Sequence, residues 1–230
     1  MAQTGTRQRL TKRQLKEDAF TTAIFRAREW TEDNLRLVLM VAGGILVVVL
    51  AVWGITNYMS GQEDAAASLY GEAGVELRSD NLSGAILNLQ TVVDEHGGSE
   101  VAGVACFQLA DAYFEQRRFD DARVYFQKYL DDYGDDELLV ASALSGLGAI
   151  DEHAQDYASC FERQMEAAET DAGFMAAEYL RQAVRCAVAG NDTAAALRAY
   201  QRIQEIDTDP RNVNIVRQRL IEHGVIGPND

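Results

Sequence analysis

The hydrophobic pattern of the chain contains one uncharged run of 22 residues, from 37 to 58, between two segments rich in charged residues. As an α-helix this run is about 33 Å long, enough for a hydrocarbon core of about 30 Å. It has no polar face, and Trp53 and Tyr58 lie toward its C-terminal end, where aromatic rings meet lipid headgroups. The pattern predicts a transmembrane helix, and a buried core helix is the alternative interpretation.

The segment before this run differs from a cleaved secretory signal. Residues 1–36 precede the apolar core, and residues 54–60 contain no convincing small-residue cleavage site. The first cysteine is Cys106, so the sequence offers no cysteine for a lipid anchor near its start. These features favour an uncleaved signal anchor.

Residues 11–34 contain neither glycine nor proline, and their charged residues alternate with apolar ones. This pattern predicts an amphipathic helix that lies along the inner leaflet, with its basic side chains near anionic lipid. Docking to a cytoplasmic or membrane protein is the alternative role for the same helix.

A second periodic pattern, with helical spacing, follows the apolar run. In its clearest copy, small and large apolar residues recur at Leu109, Ala110, Tyr113, Phe119, Ala122, Phe126 and Tyr129. This spacing resembles the tetratricopeptide repeat, which consists of a helix, a short turn and a second helix. The two alanines are expected where the paired helices approach most closely, and the aromatic rings are expected to fill the space between them.

Three weaker copies lie in register with this one. The copy 37 residues earlier has Leu82, Ala85, Leu89 and Val92. The copy 38 residues later has Leu147, Gly148, Tyr157, Cys160 and Ala167, with Gln164 in place of the second phenylalanine. The copy about 36 residues further on has Leu180, Ala183, Val184, Ala187, Ala196, Tyr200 and Ile203.

These copies predict an all-α fold. It is a tetratricopeptide-like α-solenoid of about four helix pairs plus a capping helix at residues 212–223, preceded by one transmembrane helix. Pro210 ends the last copy, and the preceding 209 residues contain no proline, as long helices require. An ordinary helical bundle is the alternative fold. The predicted domains are a cytoplasmic basic and amphipathic segment at 1–36, the transmembrane helix at 37–58, a linker at 59–64, the tetratricopeptide repeat domain at 65–226 and a tail at 227–230.

The distribution of charge along the chain predicts how the chain is oriented in the membrane. The chain has 36 acidic and 21 basic residues, and a formal net charge of −15 argues against binding to nucleic-acid phosphates. Residues 1–36 carry a net charge of +3, whereas residues 59–230 carry −18. The positive-inside bias therefore predicts a cytoplasmic N-terminus and an acidic domain on the other side of the membrane.

Residues that support catalysis or metal binding are sparse. Cys106, Cys160 and Cys186 form no C-x-x-C pair and suggest no zinc site. Cys160 and Cys186 are either packed small residues or, in an oxidising compartment, a disulfide. No histidine lies four residues from another, and no nucleotide loop or serine elbow occurs. The sequence predicts neither an enzyme nor a site for a cofactor, metal or small-molecule substrate.

The repeat resemblance implies a groove, lined by the first helix of each pair, that binds proteins or peptides. The groove positions of the repeat fall on Tyr70, Leu77, Phe107, Asp111, Phe114, Glu115, Glu152, Arg181 and Arg185. The early positions are aromatic and acidic, and the late ones are basic. Members that grip a C-terminal carboxylate have Lys and Asn at sites where this chain has Phe107 and Asp111, so that carboxylate clamp is not expected.

The complete layout resembles the ancillary SecYEG translocon subunit family, and residues 109–129 carry the repeat part of this resemblance. The family has a short cytoplasmic helix, one signal-anchor span and an acidic tetratricopeptide domain in the bacterial periplasm. The resemblance implies a single-pass adaptor in the bacterial inner membrane, with translocon subunits and periplasmic chaperones as partners. A scaffold for envelope assembly or cell division is the alternative function.

Overall fold

The structure, a computed structural model, describes residues 30–171, 173, 175–207 and 209–228. Most of the predicted amphipathic segment lies outside these residues, and residues 30–33 form one helical turn. The chain divides into two compact units, residues 1–60 and 61–230.

The first long helix, α1 (Leu35–Arg78), contains the predicted span. Within the described part of the chain, it is the one helix that is long and apolar enough to cross a membrane, and none of its most apolar stretch is buried. Leu39, Val47 and Trp53 are more than half exposed. Residues 59–64, predicted as a linker, also belong to this helix. By length and composition α1 is thus a candidate membrane span.

The second unit consists of consecutive helices joined by short turns. After α1 the helices are α2 (Leu82–Glu95), α3 (Ala102–Glu115), α4 (Phe119–Asp132), α5 (Glu137–His153), α6 (Tyr157–Thr170), α7 (Ala176–Ala189), α8 (Thr193–Ile206) and α9 (Pro210–Glu222). From α2 onward each helix packs against the next, and the C-terminal part of α1 contributes Ala66 and Ala73 to the same core. This arrangement confirms the predicted all-α fold of about four helix pairs with a capping helix.

The repeat positions form the core, as the spacing predicts. The members of the clearest copy that are at most 4% exposed are Leu109, Ala110, Tyr113, Ala122, Phe126 and Tyr129. Burial of each large apolar side chain contributes roughly 1.5–3 kcal/mol. The alanines lie between helices because a larger side chain would separate the paired backbones.

The turn inside each helix pair contains one residue with a left-handed backbone. These residues are Asp80, Arg117, Gln155 and Asn191, with φ between 58° and 62°. They are 37, 38 and 36 residues apart, which are the spacings of the predicted repeat. A left-handed conformation costs a non-glycine residue roughly 1–2 kcal/mol, so its recurrence indicates that packing of the paired helices fixes the turn.

The third copy departs from the repeat at Gln164, and two surrounding residues accommodate its amide nitrogen. Gln164 is 1% exposed, and its Nε2 donates a hydrogen bond to the Ser145 carbonyl at 3.1 Å. A Cβ at Gly148 would lie 2.9 Å from that nitrogen, so the glycine leaves room for the amide. A hydrogen bond and a glycine thus replace the aromatic packing of the standard repeat.

Replacing Gly146 with alanine is expected to cost about 1–3 kcal/mol through overpacking. A Cβ there would lie 2.6 Å from Cζ of Phe126, whose ring is 2% exposed. Alanine gains about 1 kcal/mol in a helix interior, so the expected net destabilisation is up to about 2 kcal/mol. At Gly71 a Cβ would meet nothing within 4 Å, so Gly71→Ala is the matched control and is expected to stabilise. Urea unfolding of the full chain in detergent measures both, and equal effects would contradict the packing argument.

The helix α9 closes the end of the solenoid. Pro210 lies in its first turn, and the Asp209 side chain accepts a hydrogen bond from the Arg211 N–H at 2.9 Å. Val216 and Leu220 are buried in the core cluster of the last helix pair. This is the predicted capping helix, which starts two residues earlier than expected because Pro210 opens the helix.

Candidate protein-interaction groove

The nine predicted groove residues all lie on the first helices of the pairs. Helix α1 carries Tyr70 and Leu77, α3 carries Phe107, Asp111, Phe114 and Glu115, α5 carries Glu152, and α7 carries Arg181 and Arg185. We name this surface the groove face. Two contacts bridge adjacent helices: Gln108 Nε2 on α3 donates to Tyr70 Oη at 2.9 Å, and Arg185 on α7 pairs with Glu152 on α5 at 2.5 Å. Neighbouring first helices therefore contribute to one surface.

The two phenylalanines of the groove face are half-buried. The Phe107 ring packs edge-on against Phe126, with centroids 5.7 Å apart. The Phe114 ring lies 5.4 Å from Phe119 and 6.1 Å from His153 of the next pair. Both rings therefore pack against other aromatic side chains and expose only part of their surface to a partner.

The acidic residues Asp111 and Glu115 lie one turn apart on α3 and are exposed. Neither side chain has a hydrogen-bond or ion-pair partner among the described residues. Loss of hydration at the helix surface, together with the charge of Glu115, raises the pKa of Asp111 above its ordinary value. Two like charges at this spacing repel each other in the free protein.

The charged residues at the other end of the groove face are paired. Arg185 bonds to Glu152, and Arg181 Nε donates to Glu178 at 3.0 Å while its guanidinium lies 3.9 Å from Asp207. Partial burial alone would raise the pKa of Glu178, but hydrogen bonds, among them one from Arg181, outweigh it and lower the pKa. Neighbouring carboxylates therefore offset the positive charge of the late arginines.

Comparison with known proteins agrees with the repeat fold. Residues 28–220 match the family described as a tetratricopeptide repeat-like domain. The chain belongs to this family. No curated protein matches it. Tetratricopeptide-like folds are generally non-catalytic scaffolds for protein interaction, and a protein-interaction module is the general function that the fold indicates.

Several solved structures share the tetratricopeptide fold. A tetratricopeptide repeat protein from Parabacteroides merdae has a TM-score of 0.60 and 9% identity, over 70% of this chain and 60% of its own. The MamA protein has a TM-score of 0.58 and 12% identity, over 70% and 83%. PilF from Pseudomonas aeruginosa has a TM-score of 0.50 and 14% identity, over 67% and 66%. This chain thus spans less than two thirds of the first of these, and the likeness shows the fold alone.

Sequence reasoning missed one charged cluster in the tetratricopeptide domain. Asp151 on α5 is 4% exposed, and its two oxygens accept hydrogen bonds from Arg123 on α4 and Arg163 on α6, both at 2.7 Å. The residue stands next to Glu152 in the sequence and has no distinguishing motif. Only its contacts with arginines that are distant in the sequence distinguish this buried carboxylate from an ordinary surface carboxylate.

The cysteines of the tetratricopeptide domain fall into two classes. Cys160 on α6 and Cys186 on α7 are joined by a disulfide, which decides between the two interpretations left open by the sequence. The Glu152 carboxylate and these two sulfurs lie within 4.8 Å of one another, but sulfurs bonded to each other offer no thiolate to a metal. Burial raises the pKa of the Cys106 thiol to about 12, so this cysteine is chemically inert in the folded state.

Proposed function

We propose that this chain is a membrane-anchored adaptor whose tetratricopeptide domain binds protein partners in the bacterial periplasm. In this proposal α1 crosses the inner membrane once at residues 37–58, and residues 65–226 form the interaction domain. The observation that carries the proposal is α1, an unburied apolar helix in the same chain as a tetratricopeptide domain. Tethering raises the effective concentration of a weakly binding surface beside its partners.

Two further observations support the proposed orientation. The net charge of +3 before the span and −18 after it agrees with a cytoplasmic N-terminus. The Cys160–Cys186 disulfide agrees with an oxidising compartment for the domain. The proposed partners are translocon subunits, periplasmic chaperones and the unfolded chains that pass between them. Strong negative charge keeps such a domain away from an anionic membrane surface.

Cross-linking in membranes tests the adaptor role. A photo-reactive phenylalanine analogue at Phe114, which is partly exposed on the groove face, leaves Asp111 and Glu115 in place and is expected to capture translocon subunits together with varied unfolded chains. The matched control places it at Glu166, exposed on the second helix of its pair, where we expect no such capture. Capture of one stoichiometric envelope or cell-division protein would contradict the export role and support the scaffold alternative.

A reporter fused after Asp230 tests the orientation. Alkaline phosphatase, which needs disulfides to be active, is expected to be active at this position, and a fluorescent protein that folds only in the cytoplasm is expected to be dark. The opposite pair of results would overturn the periplasmic assignment while leaving the tetratricopeptide fold unaffected.

A further inference from the structure

The excess negative charge of the chain lies in the first three helix pairs. Residues 59–171 contain 24 acidic and 6 basic residues, a net charge of −18. Residues 172–230 contain 7 of each, a net charge of zero. A partner that approaches the first pairs therefore meets a strongly negative potential, whereas the rest of the chain after residue 171 is neutral as a whole.

The groove face shows the same asymmetry at the level of single side chains. Its late charges, Glu152, Arg181 and Arg185, are each bonded to a neighbouring side chain of opposite charge. Its early charges, Asp111 and Glu115, have no such partner among the described residues. A bound partner gains little from charges that are already paired, but it can neutralise two carboxylates that repel each other.

Partly exposed aromatic side chains share helix α3 with the two unpaired carboxylates. Phe107 and Phe114 lie on the same helix, four residues before Asp111 and three residues after it, and both rings are partly exposed. Tyr70, half-buried on α1, is tied to α3 through its hydrogen bond with Gln108. An apolar side chain can pack on the exposed parts of these rings, and a cation can pair with the carboxylates on the same helix.

We infer that the groove face at α1 and α3 takes an extended peptide segment of a partner protein in which a Lys or Arg side chain lies beside a bulky apolar one. This inference rests on the proposed function of the groove face. The cation meets the unpaired carboxylates of Asp111 and Glu115, and the apolar side chain packs on the exposed parts of Phe107 and Phe114. Acidic segments and free C-terminal carboxylates are disfavoured because they would face uncompensated negative charge.

Three fluorescent peptides test this specificity against the full chain in nanodiscs of phosphatidylcholine, whose neutral headgroups do not attract cations. The peptides share their leucine and serine positions and differ only in carrying lysines, glutamates or glutamines. Fluorescence anisotropy is expected to show tightest binding by the lysine peptide and weakest binding by the glutamate peptide. The affinity of the lysine peptide is expected to fall as salt is raised.

Matched charge variants locate the binding. The double variant Asp111→Asn with Glu115→Gln is expected to weaken the lysine peptide about tenfold, the loss of two partly exposed ion pairs. Glu166→Gln with Glu169→Gln removes the same net charge from exposed positions on α6 and is expected to change the affinity by less than about twofold.

Equal binding of the lysine and glutamate peptides would overturn the inference, as would equal losses in the two double variants or no binding of the lysine peptide. Each of these results leaves the proposed function standing if the photo-reactive residue at position 114 still captures protein partners in membranes. Failure of that capture is a failure of the proposed function instead. The two experiments therefore separate the specificity of the groove face from its role.

Discussion

Replacing Asp151 with asparagine is expected to lower the free energy of unfolding of the tetratricopeptide domain by about 3 kcal/mol. Asparagine keeps the shape of the side chain but removes the charge, so Arg123 and Arg163 lose their shared counter-charge. These two side chains are 38% and 30% exposed, and water therefore solvates them in part. The expected loss is accordingly at the lower end of the range of about 3–5 kcal/mol known for broken buried ion pairs. Urea unfolding of the full chain in detergent, followed by circular dichroism, measures it.

The control for this substitution is Glu205→Gln on α8. Glu205 pairs with Arg202, but both side chains are more than half exposed, so its loss is expected to change stability by less than about 1 kcal/mol. A loss at Asp151 no larger than the loss at Glu205 would show that the buried cluster does not stabilise the three helices it joins.

Removing the disulfide by Cys160→Ala and Cys186→Ala is expected to destabilise the domain by about 3.5 kcal/mol. The bond spans 26 residues, and restricting a loop of this length in the unfolded chain accounts for an effect of this size in the chain-entropy treatment. Alanine keeps a small apolar side chain at both positions, which are completely buried between α6 and α7. For a domain of this size, the melting temperature is expected to fall by about 7–14 °C.

A reductant distinguishes the contribution of the disulfide to stability from the contribution of side-chain packing. Dithiothreitol is expected to lower the melting temperature of the parent chain by a similar amount and to leave the double-alanine variant unchanged. Cys106→Ala is the matched control, because it removes a buried thiol that is not bonded to another cysteine. If the reductant left the melting temperature of the parent chain unchanged, this result would contradict a stabilising role for the disulfide.

Much of the fold was predictable because its signals are local and repeated. The spacing of Leu109, Tyr113, Ala122 and Phe126 reports which side of each helix is buried, and that side is set by the helical period alone. The left-handed turn residues recur at the same spacings as these apolar positions, so two features of the structure agree on the register. The capping helix α9 was predicted to within two residues because Pro210 marks the end of the last repeat, although the structure places Pro210 inside the first turn of α9.

The groove face was predictable only in part. The repeat register alone is enough to assign its nine residues to the first helices of the pairs. Whether a charge on that face is available to a partner depends on side chains from other helix pairs. Glu152 and Arg185, for example, are 33 residues apart in the chain but form a hydrogen bond with each other. No local pattern distinguishes these residues from Asp111 and Glu115, which remain unpaired among the described residues.

The sequence by itself determined the apolar run, the register of the repeats and the uneven distribution of charge, because each follows from the identity and spacing of neighbouring residues. The tertiary structure alone decided that Cys160 bonds to Cys186, that Asp151 lies buried between two arginines and that the late groove charges are paired. Hydrogen bonds and ion pairs act over a few ångströms between side chains whose separation along the chain does not fix their separation in space. Packing of successive helix pairs brings these side chains together.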